Sequence, residues 1–276
     1  MHMWFSLKEG INYDDVFSPT GRLTSLQLLL TLCHLNKFKI EQMHIKCVFL
    51  NSKPDKDLYI LQPDGYNSHQ PYQYFILNRS LYGLKQSPRC WHIELKKTLT
   101  SIVLTPSLTD PCLFYLKDKH KPMWLFFNFN DLVFGGSWNK EFKTRINQYF
   151  EMEDLGQIKY ALGIRITQLK DCISLIQDKF IKNILEEFNL TDCCHTTSPL
   201  AGSSKSFKHL PTKSIDDPFN YRRVIGLLQY LVQCTRPDLA SATYFLFQFL
   251  EGPKDIHFIA VKHILAYLNS TKHYDL

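Results

Sequence analysis

Trp124-Leu125-Phe126-Phe127-Asn128-Phe129-Asn130-Asp131-Leu132-Val133-Phe134 is the stretch whose reading decides the fold class. Two apolar runs flank the polar pair Asn130-Asp131, which predicts a β-hairpin with that pair at its tip, inside a strand region from Pro122 to Gly136. Toward the N-terminus, Cys112 to Leu116 reads as a strand. Before it, Arg89 to Ile102 reads as a helix, with Pro88 at its front, where a proline is tolerated. Leu58 to Leu61 and Tyr74 to Leu77 read as two short strands around the Gly/Asn/Ser/His-rich stretch Asp64 to Gln70. Ile40 to Leu50 reads as a strand, and Leu23 to Phe38, with Leu26, Leu29, Leu30 and Leu32 among its residues, as a broadly buried helix.

Toward the C-terminus, a helix is expected from Asn139 to Phe150 and a hairpin from Ile158 to Ile166 and Ile173 to Ile176. Helices follow at Asp178 to Phe188, Tyr221 to Cys234, Pro237 to Leu250 and His257 to Leu268. Between the first two lies Thr191 to Phe219, rich in Ser, Thr, Lys and Pro, the best linker candidate. A mixed α/β body followed by a helical tail is the expected organisation, and no repeat of solenoid length is visible.

With 276 residues and 45% hydrophobic, the chain can bury a sizeable core, as one large domain or two smaller ones. Its net charge of +6 suits an anionic partner, of which nucleic acid is the commonest, and equally suits an ordinary solvated basic surface. Polar residues interrupt every apolar stretch before it reaches membrane-spanning length, and Met1 to Glu9 lacks the segments of a secretory signal, so an intracellular protein is the default expectation. The eight cysteines include no C-x-x-C pair, which fits reduced thiols. Cys193-Cys194-His195 is a poor zinc chelate, because adjacent cysteines are badly placed to hold one ion and no second ligand pair follows.

Chemistry enters with Ser80-Leu81-Tyr82-Gly83-Leu84-Lys85-Gln86-Ser87-Pro88-Arg89-Cys90-Trp91, which resembles the S-L-Y-G-L-K-Q-A-P-R-x-W signature of copia-type retrotransposon reverse transcriptases. Other stretches agree in the same order. Gln42 to Asn51 resembles the family's Q-M-D-V-K-T-A-F-L-N, Phe126 to Gly136 its Y-V-D-D hairpin, and Phe150 to Ile164 its F-x-M-x-D-L-G and F-L-G-I pattern. Tyr230-Leu231, Thr235-Arg236-Pro237-Asp238 and Tyr267 to Thr271 match the helical region that precedes ribonuclease H in the family. The resemblance implies an α+β right-hand polymerase palm, an antiparallel sheet with helices on one face, carrying partial fingers and a helical thumb/connection region. It implies residues 1–176 as fingers and palm, and 177–276 as thumb and connection. The basic fingers hairpin is expected before Gly10 and ribonuclease H after Leu276, so the chain reads as a fragment of a polyprotein.

The resemblance also implies a magnesium or manganese centre, an RNA template and a DNA primer as partners, and a cytoplasmic particle or the nucleus as location. Polymerisation is an in-line phosphoryl transfer assisted by two divalent ions, and magnesium demands hard oxygen ligands. Of the family's three catalytic aspartates, His44 stands at the first-strand position, Asn130 at the first tip position, and Asp131 is retained. The site falls from three formal negatives to one, leaving Asp131 as the one metal-ligand candidate. An inactive centre is therefore expected, with no productive metal binding. Asp to His and Asp to Asn are each single base changes, as is Tyr to Asn at Asn128, the pattern of random decay.

Phe49 is implied as the steric gate under the sugar, Lys85 and Gln86 as nucleotide-binding residues, and Leu162 and Gly163 as primer grip. On its own, His44 is an ordinary core histidine, Asn130-Asp131 an ordinary turn and Phe49 a core aromatic. Two alternatives to a polymerase domain stay open: a non-enzymatic nucleic-acid-binding module, or a retroelement relic without function.

Overall fold

The computed structural model describes residues 7–62, 74–118, 120–191, 195–200 and 218–276. Its contacts divide it into two compact units, Met1–Ile158 and Lys159–Leu276. The strands expected between Ile158 and Ile176 thus fall almost wholly in the second unit. The Asp64 to Gln70 stretch, Cys193, Cys194 and most of the Thr191 to Phe219 linker lie outside the described residues.

In chain order the first unit runs α1 (Leu23–Leu35), β1 (Ile40–Ile45), a 3-10 turn (Val48–Asn51), β2 (Tyr59–Leu61), β3 (Tyr74–Ile76), α2 (Ser87–Ser101), β4 (Leu104–Pro106), β5 (Leu113–Leu116), β6 (Met123–Asn128), β7 (Asp131–Gly136), α3 (Asn139–Ile146) and β8 (Met152–Gln157). Six strands form one antiparallel sheet in the order β4-β5-β6-β7-β1-β8, and β2 and β3 pair as a separate ribbon.

Alternation along the central strands sorts their side chains to two faces. Leu125, Phe127, Leu132 and Phe134 share a core with Trp91 and Leu95 of α2 and Phe142 and Ile146 of α3. The other face meets α1. A Cβ on Gly135 would come within 2.5 Å of the Cys33 sulfur, and one on Gly21 within 2.3 Å of the Phe126 ring. The expectation of helices on one face is therefore corrected: α1 covers one face, α2 and α3 the other. The reason is in the strands, since a run such as Trp124-Leu125-Phe126-Phe127 is apolar on both sides and needs cover on both.

Local chemistry explains the remaining differences. The strand expected to reach Leu50 stops at Ile45, because Cys47 takes a left-handed conformation (φ 50°) and starts the 3-10 turn. The hairpin tip is Phe129-Asn130, one residue earlier than expected, since Asn128 pairs with Asp131. The helix expected from Asn139 to Phe150 ends at Ile146. Strand β8 was not anticipated: Met-Glu-Asp-Leu-Gly-Gln has no apolar alternation, and it is a strand because it pairs with the edge of β1.

The second unit runs β9 (Tyr160–Ala161), β10 (Ile164–Gln168), β11 (Ile173–Ile176), α4 (Asp178–Glu187), α5 (Pro218–Cys234), a 3-10 turn (Pro237–Leu239), α6 (Ala240–Phe247) and α7 (Asp255–Ser270). The three strands make a small sheet in the order β11-β10-β9. Ile181, Leu185, Val224, Leu228, Val261 and Ile264 form the centre of its helical core. The Thr235-Arg236-Pro237-Asp238 stretch joins α5 to α6 and holds the end of α7. Buried Arg236 donates to both carboxylate oxygens of Asp238, at 3.0 and 2.8 Å, and to the carbonyl and hydroxyl of Thr271, at 3.1 and 2.6 Å.

Candidate active site

Antiparallel pairing builds the site. His44 lies near the end of β1 directly opposite Asp131, the first residue of β7, so both side chains leave the same face of the sheet. Asn130 sits in the two-residue loop beside them. Its position is set by its own carbonyl, which accepts the Ile45 N–H at 2.8 Å. The preceding residue, Phe129, is left-handed (φ 55°), a conformation that costs a bulky residue roughly 1–2 kcal/mol. The Trp91 indole donates to the Phe129 carbonyl at 2.9 Å and ties the strained tip to α2.

The three side chains close on each other. His44 Nδ1 lies 3.0 Å from Asp131 Oδ1, and Asn130 Nδ2 lies 3.2 Å from His44 Nε2. The carboxylate can only accept and the amide nitrogen only donate. With the amide nitrogen facing the ring, an imidazole that carries its proton on Nδ1 satisfies both contacts, donating to Asp131 and accepting from Asn130. The His44 and Asp131 side chains are 34% and 42% exposed, so the pair adds about 0–1 kcal/mol of stability.

This donor set does not fit a pair of magnesium ions. It offers one carboxylate, already engaged by an imidazole, plus a neutral amide. Glu153 stands opposite His44 on the other flank, in β8, and Lys46 pairs with Glu151 at 2.8 Å, which holds its ammonium above the usual lysine range. Among the described residues, no group of three or more His, Cys, Asp or Glu side chains is arranged to hold a metal ion.

The other candidate residues separate. Phe49, in the 3-10 turn just beyond β1, is half-buried and packs edge-on against Tyr82, with ring centroids 4.6 Å apart. Tyr82 is 57% exposed. Lys85 and Gln86 turn toward the N-terminal segment. Lys85 reaches the Tyr13 hydroxyl at 3.5 Å and lies over its ring, and fully buried Gln86 donates from Nε2 to the Asn12 carbonyl at 3.1 Å. In this arrangement Gln86 meets the protein's own backbone instead of solvent, and its Oε1 has no hydrogen-bond partner. Sequence reading passed over Tyr82, although it lies in the same signature; the available signal was its aromatic side chain in a Gly-containing loop. Leu162 and Gly163 belong to the second unit, where they form the two-residue loop between β9 and β10.

No helix among the described residues is long and apolar enough to cross a membrane. Residues 3–202 match the family described as Reverse transcriptase (RNA-dependent DNA polymerase). The chain is 32% identical to the Retrovirus-related Pol polyprotein from transposon TNT 1-94 of Nicotiana tabacum, over 97% of this chain and 21% of that protein. It is 30% identical to the Pol polyproteins from transposons RE1 and RE2 of Arabidopsis thaliana, over 99% and 97% of this chain and 19% and 18% of theirs. The chain thus spans about a fifth of the length of these curated relatives.

Proposed function

This chain belongs to the reverse transcriptase (RNA-dependent DNA polymerase) family, and from that premise we propose that it is the polymerase domain of a copia-type retrotransposon polyprotein whose cation centre no longer supports nucleotide transfer. The six-stranded sheet is read as the palm, the β2–β3 ribbon as part of the fingers, and residues 177–276 as thumb and connection. RNA template and DNA primer are the partners, with an intracellular particle or the nucleus as location.

The observation that carries the reading is the closed triad of His44, Asp131 and Asn130. Phosphoryl transfer of this class uses two divalent ions roughly 3.5–4 Å apart, held by carboxylates that offset their mutual repulsion. Here one formal negative remains where the family has three, and a cation approaching Asp131 Oδ1 meets the imidazole N–H. Phosphate contacts need no metal, so duplex binding outlives catalysis, in keeping with the net charge of +6. Phe49 and its neighbour Tyr82 remain as the aromatic surface for a nucleotide.

Primer extension on an RNA template tests the reading. The purified chain is expected to add no nucleotide with magnesium or with manganese, and heat-sensitive incorporation would refute it. The double substitution His44→Asp with Asn130→Asp opens the triad and restores two carboxylates. It is expected to bind manganese roughly 10-fold or more tighter than the parent in a direct titration. Equal affinity would mean that these positions do not form a cation site.

A further inference from the structure

Ala161 pairs with Ile164, so Leu162-Gly163 is a two-residue hairpin loop, and both residues are left-handed, at φ 49° and φ 71°. That is the pattern of a type I′ turn, whose first central position is ordinarily Asn, Asp or Gly. Leucine there is unfavourable, because its Cβ crowds the following carbonyl. A strained residue persists only where its surroundings hold it.

The holding group is in α5. The Tyr230 hydroxyl donates to the Leu162 carbonyl, and its ring packs edge-on against Phe180, with centroids 5.0 Å apart. Burial raises the Tyr230 hydroxyl to about 12, so it stays a donor throughout the physiological range. The hairpin of the first unit carries the same device independently: a bulky left-handed residue, Phe129, whose carbonyl is gripped by an aromatic donor, Trp91, from a helix. Both hairpin tips are thus fixed by a helix-borne aromatic, and an unconstrained turn would have no need of the leucine.

We infer that Tyr230 is the positioning residue of the Leu162-Gly163 turn, holding it for contact with the sugar–phosphate backbone of a nucleic-acid duplex. The duplex contact rests on the function proposed above; the grip of Tyr230 on the turn does not. Tyr230→Phe removes the hydroxyl and keeps the ring against Phe180, so the helices are left intact.

Two measurements on the whole chain test the inference. Hydrogen exchange at the amides of residues 162–164 should become roughly 3- to 10-fold faster in Tyr230→Phe, with the α5 and α7 amides unchanged. Adding Leu162→Asn, which tolerates the left-handed region, should return those rates toward the parent's. Affinity for a short RNA–DNA hybrid should fall roughly 3-fold or more at fixed salt, with the salt slope unchanged because no charge is removed. Unchanged exchange at the turn overturns the grip. Faster exchange with undiminished affinity overturns the positioning role. A parent chain that binds no hybrid sinks the proposed function and the duplex contact with it, while the exchange data still decide what Tyr230 does to the turn.

Discussion

Replacing Asp238 with asparagine should destabilise the second unit by about 2–4 kcal/mol, and the estimate follows from where each charge sits. Arg236 is 1% exposed, and its guanidinium makes two hydrogen bonds to Asp238 and two to Thr271. Breaking a buried pair by removing one partner costs about 3–5 kcal/mol, since the surviving charge is left uncompensated. Asp238 is 35% exposed, which lets water screen part of the interaction and lowers the figure. The reverse deletion, Arg236→Met, should cost less, about 1–3 kcal/mol, because the surviving carboxylate can hydrate and the Tyr267 hydroxyl still donates to it at 3.0 Å. The double variant should lose less than the sum of the singles by at least about 1 kcal/mol. Hydrogen exchange of the α7 amides across a urea series reads these differences in the whole chain. Trp4, Trp91, Trp124 and Trp138 all precede residue 159, so tryptophan emission reports the first unit separately. Either single substitution changing α7 protection by less than about 0.5 kcal/mol, or strictly additive losses, would refute the reasoning.

Gly21→Ala and Gly135→Ala should each destabilise the first unit by about 1–3 kcal/mol in chemical denaturation, because the added methyl meets the Phe126 ring or the Cys33 sulfur; a neutral result at either would show that α1 can shift to admit it. Stability of the second unit should decline as pH falls below about 6.5, the ordinary histidine value. Burial and nearby Lys254 depress the His257 pKa, and its Nδ1 accepts the Lys254 N–H at 3.0 Å. The folded state then binds fewer protons than the unfolded one, so the contribution is full above the unfolded value and is lost as pH drops toward the folded one. His257→Gln should flatten that part of the pH profile, and an unchanged slope would rule out His257 as its source. A second acid-side loss should come at lower pH from Asp238, whose ionisation burial opposes and the Arg236 guanidinium restores to below the usual carboxylate range. In Asp238→Asn that later loss should disappear.

Much of the architecture was legible because it rests on local signals. The continuous apolar runs of β6 and β7, the proline opening α2, and the period of Phe180, Ile181, Ile184, Leu185 and Phe188 along α4 each specify an element by themselves. What was misread depends on distant partners. Strand β8 owes its conformation to the edge of β1, and its own polar residues carry no strand signal. The hairpin tip falls at Phe129-Asn130 because Trp91, 38 residues away, supports a left-handed phenylalanine that turn propensities alone would reject. Gln86 is implied by the resemblance as a nucleotide-binding residue, and nothing local in its sequence foretells that it is fully buried and donates to the Asn12 carbonyl, 74 residues away.

The order of residue types carried the family resemblance without any coordinates, and with it the expectation that His44 and Asn130, neither of them acidic, stand at acidic positions of the family, which is a matter of chemical identity. Folding decided what those side chains do instead. The pairing of His44 with Asp131 and the one-residue placement of the tip bring an imidazole between an amide and the Asp131 carboxylate. Such a contact spans 87 residues of chain and depends on strand register to a single step, information that no local pattern contains.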